Sequence, residues 1–208
     1  MMAQKDTALL IIDMQQDFVR AETPLRVPGA EATVPVISSL LEACRNSDRI
    51  AIFHIIREYE PDGTDLERSR LETFRRVPGA IRGTAGAGIV PELQPRPGET
   101  VIVKPRYSAF FQTKLDLCLR RLGVDSLLIA GTQYPNCIRA TVTDALSLDY
   151  QVTVISDCCS ARTPEIAEAN LTDMRNLGAR CLTFAEWRPE AAAGYLKFPG
   201  ADSPAGHE

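Results

Sequence analysis

The chain has 208 residues, 45% of them hydrophobic, with 23 basic against 27 acidic side chains and a formal charge of −4. That length and apolar content suit one domain with a sizeable core, and an acidic balance without a basic stripe among aromatics argues against nucleic-acid binding. No stretch approaches the roughly 18 apolar residues of a membrane helix, no apolar signal region precedes the first strand, and the six scattered cysteines (Cys44, Cys118, Cys137, Cys158, Cys159, Cys181) form no CxxC pair, so the expectation is a cytoplasmic protein with free thiols.

In chain order, the apolar run Ala8–Ile12 predicts a first strand over 7–13 that ends at a carboxylate, Asp13. A helix over 31–46 follows, then a second strand over 50–56 that carries His54. The stretch 57–98 is long for a connection and rich in Arg, Glu, Pro and Gly, and it reads as a lid and much of a specificity wall. A third strand over 100–104 ends in Lys104, with a helix over 111–122 behind it. The fourth strand, 126–131, runs into the turn Gly131-Thr132-Gln133-Tyr134-Pro135-Asn136-Cys137 and a helix over 137–148. A fifth strand over 151–156 precedes Cys158 and Cys159, which read as packing residues because buried thiols behave as small hydrophobes. Thr163 as cap, Pro164 at the first position and Gly178 as stop delimit a helix over 164–177, and a last strand covers 180–184. Such alternation predicts an α/β protein, a three-layer α/β/α doubly wound, mostly parallel six-stranded sheet. Residues 1–208 form a single domain on this reading, with its core over about 6–187 and a C-terminal tail over 188–208.

Strand ends of an open parallel sheet converge on one crevice. Asp13, Lys104 and Cys137 all lie at such ends, so an acid, a cation and a thiol can meet, which is a set fit for covalent catalysis. A helix N-terminus and a nearby lysine would lower the pKa of Cys137 from about 8.5, whereas a neighbouring carboxylate would oppose a second negative charge and couple the two titrations. On that reading Cys137 is the most reactive of the six thiols. Phe18, Phe110 and Tyr134 are the aromatics expected along the pocket, and Arg57, Arg82 and Arg106 are candidate partners for a substrate carboxylate.

The segments Asp13-Met14-Gln15-Gln16-Asp17-Phe18, Gly83–Ala87 with Ile89–Leu93, Lys104–Phe110 and the Cys137 turn, in that order, resemble the isochorismatase-like cysteine hydrolase superfamily. The resemblance implies a Cys–Asp–Lys triad, mapped here onto Cys137, Asp13 and Lys104. It further implies a non-proline cis peptide at Thr132–Gln133 and an oxyanion hole from the Gln133 and Cys137 N–H groups. One departure is Gln133-Tyr134-Pro135-Asn136, where many members carry a small residue and a threonine, so substrates of better-known relatives do not transfer. Nicotinamidases of this family hold zinc or iron with an aspartate and histidines; only His54 and His207 are present, and no metal or other cofactor is expected. The implied activity is cleavage of a C–N amide bond in a small molecule through a Cys137 thioester. A vinyl-ether hydrolase, a thiol redox enzyme and a catalytically silent interaction module stand as alternatives. The expected partners are a small amide substrate and a second copy of the chain in a homo-oligomer, dimer or higher, built on a sheet edge, the helix at 116–122 and the apolar tail from Ala191 to Leu196, with no nucleic acid and no membrane.

Overall fold

A computed structural model describes residues 5–192, with side chains described through residue 188. Six strands, β1 (Thr7–Ile12), β2 (Ile50–Arg57), β3 (Thr100–Lys104), β4 (Ser126–Thr132), β5 (Gln151–Ser160) and β6 (Arg180–Leu182), form one all-parallel sheet in the order β3-β2-β1-β4-β5-β6. Every residue of β1, β2 and β4 is buried. This is why they read as unbroken apolar runs, since a central parallel strand is covered on both faces.

The first face is covered by α2 (Ala30–Arg45) and α7 (Phe184–Ala192), and a core of Leu9, Ile11, Ile37, Leu40, Leu41 and Trp187 lies between the layers. The opposite face carries α4 (Leu115–Leu122), α5 (Arg139–Ser147) and α6 (Pro164–Asn176) over Leu10, Ile12, Leu119, Ile129, Val142 and Met174. Two short helices, α1 (Gln16–Val19) and α3 (Leu71–Arg76), sit in connections where no periodic pattern announced them. At the start of α6 the Thr163 hydroxyl accepts from Ile166 N–H at 3.3 Å, as its sequence position predicts.

Some boundaries differ from expectation. β5 continues to Ser160 because a bulge absorbs the polar residues after Ile155: Ile129 pairs with Val154, but Gly131 pairs with Cys159. Cys158 and Cys159 thus lie inside the strand, and each packs into a different core. The helix expected from 137 starts only at Arg139, after a wide turn over Tyr134–Ile138 in which Ile138 N–H donates to the Gln133 carbonyl at 3.3 Å. Among the described residues no helix is long and apolar enough to cross a membrane. The edge strand β3 exposes Val101 and Val103, and α4 exposes Leu117 and Leu122. The tail from residue 193, including His207, lies outside the described residues.

The chain adds β2 and β3 to one side of β1, then β4, β5 and β6 to the other. The β1/β4 seam is therefore the point where strand order reverses, and the crevice beyond the C-terminal ends of these strands is where such sheets bind ligands.

Candidate active site

Asp13 directly follows β1. Its N–H donates to the Ile55 carbonyl at 2.8 Å and its φ is +53°, a left-handed conformation few non-glycine residues adopt, so the chain leaves the sheet sharply here. Across the seam Gly131 has a φ of +123°, and a Cβ there would meet the Ile12 carbonyl oxygen at 2.1 Å. Glycine is the residue that permits β4 to press against β1 at this level. The Thr132–Gln133 peptide that follows is cis, and the wide turn then presents Cys137.

Lys104 ends β3, an edge strand, yet it is fully buried. Its ammonium reaches Asp13 Oδ2 at 2.8 Å, Cys137 Sγ at 3.3 Å and the Arg106 carbonyl at 3.2 Å. Asp13 Oδ1 is buried without a hydrogen-bond partner among the described residues, which leaves one carboxylate oxygen able to take a proton. Acid, cation and thiol from three strand ends are thus in one cluster.

A second cation joins them. Register pairs Arg57, the last residue of β2, with Lys104, so both point to the same side of the sheet. Arg57 is 1% exposed, and its Nη2 lies 3.9 Å from Cys137 Sγ. The backbone at Arg57 is clamped by Gln15, whose amide accepts from Arg57 N–H at 2.7 Å and donates to the Arg57 and Ala87 carbonyls at 2.7 and 2.6 Å. Gln15 and Glu67, which bonds the guanidinium at 3.0 Å, were not legible as site residues; Gln15 stood in a recognisable segment, but nothing in it marked the clamp.

Electrostatics correct one expectation. Burial first, and then the charge of Asp13, push the Cys137 thiol up to about 11, against the pull of Lys104 and Arg57. The resting sulfur is therefore protonated, because desolvation of a 7% exposed thiol outweighs its cationic neighbours. Burial disfavours the charge of Arg57 too, but the carboxylates of Asp13 and Glu67 beside it favour the charged form, and its guanidinium is held above its ordinary range. Cys118 and Cys181 are more exposed than Cys137, so accessibility alone does not single Cys137 out.

A cleft of about 260 Å³ opens over this cluster. Asp13, Arg57, Thr132, Gln133, Asn136 and Cys137 form its floor, Phe18, Leu25, Val27 and Tyr107 contribute to its sides, and the 57–98 connection walls it with Arg70, Thr73 and Val77. Phe18, Arg57 and Gln133 are therefore where the sequence suggested. Phe110 and Tyr134 are not. Phe110 stacks on Tyr150 with centroids 5.7 Å apart and packs on the core, and Tyr134 is 1% exposed with its hydroxyl donating to the Ser156 carbonyl at 2.8 Å. The wide turn points this tyrosine away from the cleft and into the core. Of the other arginines, Arg82 pairs with Glu58 and Glu60, and Arg106 donates to the Asp65 carbonyl at 2.9 Å.

The donor set does not fit the zinc or iron of the nicotinamidase branch. Among the described residues the cleft is lined by no histidine and by one carboxylate, Asp13, and no group of three or more His, Cys, Asp or Glu is placed to hold a metal. His54 lies on the α2 side of the sheet, bonded through Nε2 to Glu99 at 2.8 Å, and burial holds its pKa down.

Comparison with known proteins agrees with this architecture. The model of the isochorismatase domain matches residues 7–186. A "probable inactive nicotinamidase" of Arabidopsis thaliana is 43% identical over 192 residues, covering 90% of this chain and 97% of that protein. A ureidoacrylate amidohydrolase of Pantoea ananatis is 32% identical over 182 residues, covering 79% of this chain and 73% of that one. The crystal structure of an isochorismatase family protein from Desulfovibrio vulgaris superposes with a TM-score of 0.86 at 49% identity, covering 90% and 99% of the two chains. With the doubly wound sheet and the strand-end cluster already in view, the chain belongs to the isochorismatase family.

Proposed function

We propose that this protein hydrolyses a C–N amide bond of a small molecule through a thioester on Cys137, without a metal. The observation that carries the reading is the buried contact set Asp13 Oδ2–Lys104 Nζ–Cys137 Sγ, at 2.8 and 3.3 Å, of which Asp13 and Cys137 line a cleft. The sulfur attacks the carbonyl carbon while Asp13 accepts the S–H proton, and the carbonyl π electrons move onto oxygen. Lys104, in contact with both groups, offsets the one negative charge as it passes from the carboxylate to the sulfur during proton transfer and on to the carbonyl oxygen. The N–H groups of Gln133 and Cys137 receive the oxyanion, each donor contributing roughly 3 kcal/mol or more in comparable sites. Collapse expels the amine, which takes the proton from Asp13. Water, deprotonated by the same carboxylate, then cleaves the thioester and frees the acid and the thiol. The amidohydrolase name of the Pantoea relative supports this bond class. The nicotinamidase name of the Arabidopsis relative is not carried over, because among the described residues no histidine lines the cleft.

A panel of small amides assayed for ammonia release, with Cys137→Ala as the blank, tests the proposal. Release that needs Cys137, survives exhaustive chelation and leaves an acyl adduct on the Cys137 peptide after quenching is the expected result. Turnover in Cys137→Ala, or activity lost to chelation and restored by zinc or iron, would overturn it.

A further inference from the structure

The guanidinium of Arg57 has one edge engaged and one edge without an oxygen acceptor. Nη1 donates to Glu67 at 3.0 Å and to the Tyr59 hydroxyl, and the Tyr107 ring lies against the group, 5.0 Å from Cζ to centroid. The opposite edge bears Nε–H and one Nη2–H, two parallel donors in a fixed fork. On that edge Nε is buried with no hydrogen-bond partner among the described residues, and Nη2 meets the Cys137 sulfur at 3.9 Å. A neutral thiol is a poor acceptor, and a buried donor left unpaired costs about 1–3 kcal/mol, more when it is charged. An acceptor with two oxygens would remove that cost, and a carboxylate matches the fork bidentately.

Local charge points the same way. Glu67 already neutralises part of Arg57, and Asp13 and Lys104 pair with each other. Asp13 is the one carboxylate among the described residues lining the cleft, whereas Arg26, Arg70 and Arg162 also line it. Resting on the amidohydrolase reading above, we infer that Arg57 holds a carboxylate of the substrate beside the scissile carbonyl. The substrate is then a compact amido acid, such as a monoamide of a short dicarboxylic acid. Because the fork starts 3.9 Å from the sulfur, acid and amide sit side by side and not at two ends of a long chain.

Protection of Cys137 from iodoacetamide, mapped by mass spectrometry, reads binding without turnover. The probes are malonate and succinate against the neutral diamides malonamide and succinamide. In the wild-type protein the acids are expected to protect at concentrations at least about tenfold lower, as a desolvated bidentate pair requires. Arg57→Lys and Arg57→Gln should each bring that ratio close to one, while Arg121→Gln, on α4 and outside the cleft, keeps it. Equal protection by acids and diamides in the wild type, or an undiminished acid preference in folded Arg57→Lys, would overturn the inference; should neither variant fold, the wild-type comparison decides. Hydrolysis of malonamate and succinamate against propionamide and butyramide separates the two proposals. Protection by acids with no amide hydrolysed removes the hydrolase reading and leaves the fork. Equal kcat/KM for acidic and neutral amides removes the fork and leaves the hydrolase.

Discussion

Replacing Asp13 by asparagine is expected to abolish turnover and, at the same time, to make Cys137 react faster with a small alkylating agent. The thiol is held up at about 11 by burial and then by the Asp13 charge. Asparagine keeps the shape and removes the charge, which leaves the Lys104 nitrogen, 3.3 Å from the sulfur, without its carboxylate, beside an Arg57 nitrogen at 3.9 Å that Glu67 still partly neutralises. At an effective dielectric of about 20, unit charges at those separations attract by about 5 and about 4 kcal/mol. The Asp13 carboxylate, 2.8 Å from the lysine nitrogen, cancels a comparable amount in the wild type. If half of one such interaction survives relaxation, about 2.5 kcal/mol lowers the thiol by roughly two pKa units and raises the thiolate fraction near neutral pH by about 100-fold. Initial alkylation rates of the Cys137 peptide, resolved by mass spectrometry from those of the more exposed Cys118 and Cys181, measure the effect. A rate in Asp13→Asn equal to or below wild type would refute the coupled pair, and retained hydrolysis would remove Asp13 from its role as base.

Gly131→Ala is expected to destabilise the fold by about 3 kcal/mol or more in urea denaturation, because it adds a Cβ 2.1 Å from the Ile12 carbonyl oxygen at a φ of +123°; a loss below about 1 kcal/mol would mean the seam can open at no cost. Glu99 is partly desolvated, but its bonds to Arg45 at 2.7 Å, to Arg96 N–H at 3.0 Å and to His54 at 2.8 Å outweigh burial and hold its pKa down at about 2. A depressed carboxylate contributes stability above its unfolded pKa of about 4.3 and loses it as pH falls through the folded value. Wild type should therefore exceed Glu99→Gln by about 1–2 kcal/mol at neutral pH, a discounted figure for a site only partly shielded from solvent, and the gap should close between about pH 4.5 and about pH 2. A gap independent of pH in that window would show that the network acts by shape alone.

Strand ends were legible because a central parallel strand is an apolar run that stops where the chain meets solvent or a site, so Asp13, Lys104 and Cys137 stood out as polar groups closing such runs. Side-chain direction was not. Tyr134 and Cys137 are three residues apart in one turn, and an i→i+5 bond there sends one to the core and the other to the cleft, which no helical or strand period encodes. Phe110 was misplaced for a related reason: its stacking partner Tyr150 is 40 residues away and becomes a neighbour only when α4 folds down. The thiol was read as acidic from a helix N-terminus and a lysine, both local features, whereas its burial depends on how the 57–98 connection and the sheet close around it. Arg57 was readable as a cation near a strand end, but its place beside Lys104 follows from register, a property of pairing across strands.

The β1/β4 seam also divides the chemistry. The chain through β3 supplies Asp13, Arg57 and Lys104 at the ends of three adjoining strands, and the chain after β3 supplies Gln133 and Cys137 from the turn that follows β4. A break in the connection between β3 and α4 would therefore yield two fragments, each with an unbroken run of neighbouring strands, one holding the proposed base and the cations and the other the proposed nucleophile. On the proposed mechanism neither could turn over a substrate alone. Six residue pairs, Thr7 with Ser126 through Ile12 with Gly131, would have to zip for activity to return, so turnover in a mixture of the halves would count completed seams.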